Sequence, residues 1–187
     1  MYASISDEAH VFCPRDLPSF AEIRELTKDI LGVEPTAIFT AMRTLEVADT
    51  LADAVEANLR HQFGLSIGRF SLLMILHRHS ESELTPSDLA RRAAVTRATV
   101  TGLLDGLEEE GLVERQAHST DRRRIALKLT EAGRAFIARL IPAYAPRLSA
   151  VANGLSEKER RQFLRLLDKI QVGLDTLRAP GKDRVLA

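Results

Sequence analysis

Three hydroxyls and a guanidinium stand together in the run Thr96-Arg97-Ala98-Thr99-Val100-Thr101, and three more guanidinium groups follow at Arg122, Arg123 and Arg124. Such groups hydrogen-bond phosphate oxygens and nucleic-acid bases. No phosphate-binding glycine loop, metal-ligand spacing or nucleophile motif accompanies them, and the Asp49/Asp53 pair alone is weak evidence of catalysis. The chemistry expected is binding, and the chain reads as non-enzymatic. Charge is segregated around these residues. Over residues 85–128, eight basic side chains (Arg91, Arg92, Arg97, Arg115, Arg122, Arg123, Arg124, Lys128) face seven acidic ones at 88, 105, 108, 109, 110, 114 and 121, a net of only +1. The whole chain is balanced at 26 basic against 26 acidic residues. Affinity for a polyanion must therefore come from local placement. With 5% aromatic residues and no tryptophan, stacking of single strands is disfavoured, and duplex DNA remains open.

The elements that must position these groups are legible around them. Thr85-Pro86-Ser87-Asp88 combines an N-cap threonine, proline at the first helical position and a carboxylate three residues after the cap, which starts a helix running to Arg92. After the short turn Ala93-Ala94-Val95, Thr96 caps a second helix with Val100, Leu103, Leu104 and Leu107 as its buried face. That helix ends near Glu110, with Gly111 as the left-handed cap. Two helices joined by three residues have helix-turn-helix spacing. Period-two alternation occurs once, from about 112 to 129, and predicts a hairpin of LVERQAH and RIALKLT. Leu112, Ile125, Leu127 and Leu129 would pack on the helices, with His118 to Arg123 at the tip. In such a unit the second helix enters the major groove, its free N–H groups and positive dipole end approaching phosphate, while the hairpin wing reaches backbone or minor groove.

The run LTPSDLARRAAVTRATVTGLLDGLEEEGLVERQAHSTDRRRIALKLTEAG resembles the core of the MarR family. The resemblance lies in the L-E-x-x-G-L-V-x-R segment from Leu107 to Arg115, the D-x-R wing at Asp121 and Arg123, and L-T-x-x-G from Leu129 to Gly133. It implies a winged-helix regulator of transcription, with Ser87, Thr96, Arg97, Thr99 and Thr101 on the DNA-facing surface. Arg123 would reach the minor groove, flanked by Arg122 and Arg124, and Asp121 would brace the wing. The chain departs from many relatives at Gly102 and Gly106, where an arginine often stands in the recognition helix. Each glycine costs that helix roughly 1 kcal/mol.

Helical spacing dominates elsewhere, so the fold class expected is mostly α with a small β-hairpin wing: a winged helix-turn-helix flanked by dimerisation helices. Its 187 residues, 45% hydrophobic, suit one ordinary domain. Residues 1–34 read as an extension, polar at first and then a short helix with Phe20, Ile23, Thr27 and Ile30 on one face, closed by Gly32 and Pro35. Residues 35–80 carry a long helix with the stripe Ile38, Met42, Leu45, Ala48, Ala52, Val55, Leu59 and Phe63, beside a solvated acidic row, Glu46, Asp49, Asp53 and Glu56. Ser66 then caps a helix with Phe70, Leu73 and Leu76 inward. Residues 84–130 form the DNA-binding region. Within 131–178, Thr130 caps a helix that Pro142 and Pro146 should interrupt and kink. Ser156 to Glu159 is a capping box opening a last helix with an apolar seam at Phe163, Leu166, Ile170, Leu174 and Leu177, and 179–187 is expected to be a disordered tail. By resemblance, the terminal helices of two protomers interlock into a homodimer on a pseudo-palindromic operator. The extension helix near 18–31 resembles the extra helix of urate-responsive members, from which the absence of tryptophan departs.

The resemblance also implies a repressor released by a small phenolic or carboxylate effector, bound between dimerisation helices and winged domain. The helices at 36–63 and 66–79 offer Asp53, His61, Arg69 and His77 there, Arg69 being suited to an anion. A rival input is Cys13 in VFCPRD, whose thiolate Arg15 would favour, as in peroxide-sensing relatives, although Cys13 lies outside the first long helix. As the single cysteine it excludes an internal disulfide and a thiolate zinc cluster. No metal or cofactor is expected. No apolar stretch approaches the roughly 20 residues of a membrane span, and MYASISDEAHVFC lacks a signal-peptide pattern, so the cytoplasm is the expected location. The remaining alternative is a winged helix used only for protein association, which needs neither the threonine-rich helix start nor the arginine-rich tip.

Overall fold

The computed structural model of the chain describes residues 17–118 and 123–178. Residues 179–187, expected to be a disordered tail, Cys13, and the wing-tip residues Asp121 and Arg122 lie outside them. In order, the described elements are α1 Phe20–Thr27, α2 Pro35–Phe63, α3 Ile67–Arg78, α4 Pro86–Ala93, α5 Arg97–Glu109, β1 Val113–Ala117, β2 Ile125–Leu129, α6 Glu131–Ala150 and α7 Glu157–Arg178. They fall into two compact units: Ala52–Leu148, and the chain on either side of it. No helix among the described residues is long and apolar enough to cross a membrane.

The unit Ala52–Leu148 is built on one apolar cluster. Leu59 of α2, Leu72, Leu73 and Leu76 of α3, Leu89 of α4, Val100, Leu104 and Leu107 of α5, Leu127 of β2 and Leu140 of α6 all belong to it. The three- and four-residue spacing within α3 and α5 puts these side chains on single helical faces. Phe70 and Tyr144 meet edge to face at 5.3 Å, fastening α6 to α3. β1 and β2 pair antiparallel, from Val113 opposite Leu129 to Ala117 opposite Ile125. Leu84, just before α4, adds a rung that alternation did not announce, its carbonyl accepting from the Leu127 N–H at 2.8 Å. Leu127 and Leu129 turn inward as expected, but Ile125 is 47% exposed while Ala126 is fully buried. The inward face therefore stops short of the wing's outer end.

The L-T-x-x-G segment has a local explanation. The Thr130 hydroxyl accepts from the Gly133 N–H at 2.9 Å and donates to the Gly111 carbonyl at 2.6 Å, so one side chain ties the start of α6 to the end of the recognition helix. A Cβ at Gly133 would overlap the Leu112 carbonyl, which accepts from the Thr130 N–H. Only glycine leaves space for that close approach. Contrary to the interruption expected, α6 stays helical through Pro142 and Pro146. Each proline removes one intrahelical hydrogen bond. Burial of Ile137, Leu140 and Tyr144 along the same helix offsets the loss.

In the other unit, the Glu22 carboxylate accepts from the Ser19 N–H at 2.8 Å in a capping box that opens α1. Ile23 is buried, and Phe20 meets Phe39 of α2 edge to face at 5.8 Å. Ile30 lies past the end of α1 and is exposed. The capping box at Ser156 opens α7 as expected, the Glu159 carboxylate accepting from the Ser156 N–H at 2.7 Å. Much apolar surface stays open here: Leu45 and Leu51 of α2, and Phe163, Leu166 and Val172 of α7, are exposed in the single chain. The acidic row of α2, expected to be solvated, is half-buried in both units, Glu46 and Asp49 in this one and Asp53 and Glu56 in Ala52–Leu148. Glu46 pairs with Arg43 and Glu56 with Arg60, each one helical turn away.

Candidate nucleic-acid interface

α4 starts as its sequence dictates. The Asp88 carboxylate accepts from the Thr85 N–H at 3.1 Å and from the Thr85 hydroxyl at 2.6 Å, and Pro86 occupies the first turn. The Thr85 hydroxyl, first, and the Thr85 N–H, second, hold the Asp88 carboxyl below its ordinary value of 3.8, with Arg91 adding to them. A lowered carboxyl stabilises the fold above its ordinary pKa, and that contribution is lost as pH falls through the lowered value. Thr85→Ala is thus expected to cost about 0.5–2 kcal/mol near neutral pH. The loss should shrink as urea unfolding is repeated at pH values stepped down below the ordinary carboxyl value, where Asp88 progressively loses its charge; an equal loss at every pH would contradict the role of the carboxylate.

The turn between the two helices rests on Ala94, which is left-handed at φ 57° and exposed, while the Val95 N–H reaches back to the Ala90 carbonyl at 3.1 Å. An alanine in this region is strained by its Cβ. Ala94→Gly is expected to raise stability by about 0.5–1 kcal/mol, the relief exceeding glycine's greater unfolded-state entropy. A lower urea midpoint for this variant would refute the strain.

α5 presents the threonine-rich end. The Thr96 hydroxyl accepts from the Thr99 N–H at 3.1 Å and shares a hydrogen bond with the Thr99 hydroxyl at 2.8 Å, so both side chains are engaged in capping. Thr101 donates to the Arg97 carbonyl at 3.0 Å. Arg97 is exposed at the positive end of the helix dipole, and Ser87 is half-buried in α4. Three of the four acids in the C-terminal half are paired. Asp105 and Glu108 take Arg115 of β1 at 2.5 and 3.2 Å, and Glu110 takes Arg69 of α3 at 2.5 Å. Two scaffold arginines therefore offset part of the negative charge at the far end of the recognition helix, while its N-terminal end carries a cation and no acid.

At the base of the wing, Arg124 lies 3.9 Å from Asp88, which also holds Arg91 at 2.8 Å, and the His118 ring nitrogen is 3.4 Å from the Glu83 carboxylate. Arg123 is exposed. Arg124 thus links wing to α4 through a single carboxylate. Of the four residues proposed from sequence to hold an effector, His77 lines a cavity of about 250 Å³ with Leu76, Leu127, Lys128, Leu129 and Arg134. Arg69 is engaged with Glu110, exposed His61 meets the Gln62 amide at 3.0 Å, and Asp53 is half-buried on α2. Among the described residues no group of three or more His, Cys, Asp or Glu side chains is placed to hold a metal ion.

Two helices at helix-turn-helix spacing, followed by a hairpin tied back to both, define a winged helix-turn-helix protein. The sequence profile of the MarR family matches residues 65–125. The chain is 32% identical over 156 residues to the HTH-type transcriptional repressor YetL of Bacillus subtilis (strain 168), covering 82% of this chain and 91% of that one. It is 27% identical over 142 residues to the HTH-type transcriptional regulator PecS of Dickeya dadantii (strain 3937), 75% and 84% of the two chains. The solved MepR–DNA complex of S. aureus has the same fold at a TM-score of 0.62 and 24% identity, over 72% of this chain and 95% of that one. The chain belongs to the MarR family.

Sequence reasoning placed the cap, the turn and the recognition helix, and it missed Leu84, Arg69 and Arg115 as the parts that hold them. Gly106, on the helix face shared with Leu103, was the available signal for Arg69.

Proposed function

We infer that this protein is a transcriptional regulator that binds specific double-stranded DNA as a homodimer and acts as a repressor in the cytoplasm, where the DNA is. The observation that carries the reading is the polarity of α5: hydroxyls and Arg97 at its N-terminal end, and the acids, three of them paired with Arg69 and Arg115, at the other. In this reading residues 84–130 bind DNA by Ser87, Thr96, Arg97, Thr99, Thr101 and the arginines of the wing. Residues 35–80 and 131–178 supply the protomer contact. The exposed Leu45, Phe163, Leu166 and Val172 support a dimer, since apolar faces of that kind mark association surfaces. Like its named relatives, the protein is read as a binding protein and not an enzyme.

The test is titration of the purified protein against duplex from its own promoter region and a scrambled duplex, at two salt concentrations. Selective binding that weakens steeply with salt is the expected result, because each neutralised phosphate releases counterions. Equal affinity for both duplexes would transfer the reading to protein association. A small anionic effector is supported by the cavity that His77, Lys128 and Arg134 line, with Glu114 as its one acid. Addition of aromatic acids to the same titration is expected to release the promoter duplex.

A further inference from the structure

We propose that Arg69 is a positioning residue for DNA recognition: it sets the recognition helix on α3 through a reciprocal fit with Gly106 and Glu110, and touches no DNA itself. This rests on the DNA-binding reading above.

Leu103, Gly106 and Glu110 share one face of α5, three and four residues apart, and this face meets the first turn of α3. The fit is a double exchange of knob for gap. Gly68 of α3 faces Leu103 so closely that a Cβ would stand 3.0 Å from a leucine methyl. Gly106 of α5 faces the Arg69 guanidinium, which a Cβ there would overlap, 2.6 Å from Cζ. Each helix thus gives up a side chain where the other inserts one, and sliding α5 along α3 would bring a side chain against a side chain. Glu110 closes the arrangement at 2.5 Å from the guanidinium, and the Arg69 side chain is 29% exposed. On the α3 side, the Ile67 N–H donates to Glu56 of α2 at 2.5 Å, which fixes the turn that carries Gly68 and Arg69.

Neither Arg69 nor Gly106 serves its own helix. A cation in the first turn opposes the dipole of α3, and a glycine in mid-helix weakens α5. Two locally unfavourable residues facing each other are explained by what they do together. Arg69 also places a cation near the C-terminal end of α5, where the dipole favours it. Thr96 to Thr101 lie at the opposite end of α5, so Arg69 acts on them only through the placement of that helix.

The experiment measures affinity for the promoter and scrambled duplexes at one salt concentration, for wild type, Arg69→Ala, Arg69→Lys, Gly106→Ala and the double variant Arg69→Ala/Gly106→Ala. Each is read at a temperature below its own unfolding transition. Arg69→Ala is expected to weaken promoter binding about tenfold and to change scrambled-duplex binding far less, so that selectivity falls. Gly106→Ala should reproduce that loss by expelling the guanidinium, and should add nothing in the Arg69→Ala background, where the space is free. Arg69→Lys, which keeps the charge without the flat fork, is expected to recover part of the selectivity. Wild-type selectivity in both single variants, or a proportional loss on both duplexes, would overturn the proposal. If Arg69→Ala does not fold, Arg69→Lys and Gly106→Ala decide it by the same ratio. Absence of selectivity in the wild type would instead overturn the DNA-binding reading.

Discussion

Leu107→Ala is expected to lower the unfolding free energy by about 2–5 kcal/mol, a large part of the 5–15 kcal/mol typical of a domain. Leu107 is completely buried in α5, within the cluster that joins α5 to α2, α3, α4, β2 and α6. Truncation removes apolar contact and leaves a cavity that helices held on every side cannot close. The Leu107 carbonyl also accepts from the Leu112 N–H at 2.9 Å, so this residue sits where the recognition helix hands over to the wing. The check is urea unfolding at fixed protein concentration, with the midpoint lowered and the slope unchanged. A loss under about 1 kcal/mol would mean the core tolerates collapse at this point.

Arg123→Ala is expected to weaken promoter binding by about 1–3 kcal/mol per wing, some 5- to 150-fold, doubled in free energy if both wings of a dimer engage. Arg123 is exposed, so the substitution should change folding stability by about 0.5 kcal/mol at most. The salt dependence then separates two kinds of contact. Loss of a phosphate contact lowers the salt slope by about 1 and spares selectivity, whereas loss of a base-edge contact in the groove lowers selectivity itself. Wild-type affinity in this variant would remove the wing from the interface.

Local signals in the sequence were reliable where a short segment decides its own conformation. The boxes at Thr85 and Ser156, the cap at Thr96 and the left-handed Gly111 all stand where their residue types required. Signals that depend on what lies across the fold were not legible. Ile125 obeys the alternation and is still exposed, because nothing in its spacing records where the helices beneath the hairpin end. Arg69 reads as a ligand for an anion, and only the placement of α5 shows the Glu110 carboxylate that occupies it. Pro142 and Pro146 signal an interruption and a kink, and α6 continues as helix past both. The apolar stripe of α2 was correct as a pattern, but two of its residues, Leu45 and Ala48, are exposed in one chain. Periodicity identifies an apolar face and says nothing of whether its cover belongs to the same molecule.

The rung between Leu84 and Leu127 has a bearing on how the protein behaves at high concentration. β2, with the sequence IALKL, is the stretch of the hairpin best suited to adding strands from other copies. It is flanked by β1 on one side and by Leu84 at its middle on the other, so its backbone is not offered as a template. The outward edge of the sheet falls to β1, whose VERQA carries a glutamate and an arginine. Charged edge residues resist strand addition. The wing is therefore protected from aggregation by an interaction made before α4 begins, and loosening Leu84 would expose a sticky edge even in a protein whose recognition helix remained intact.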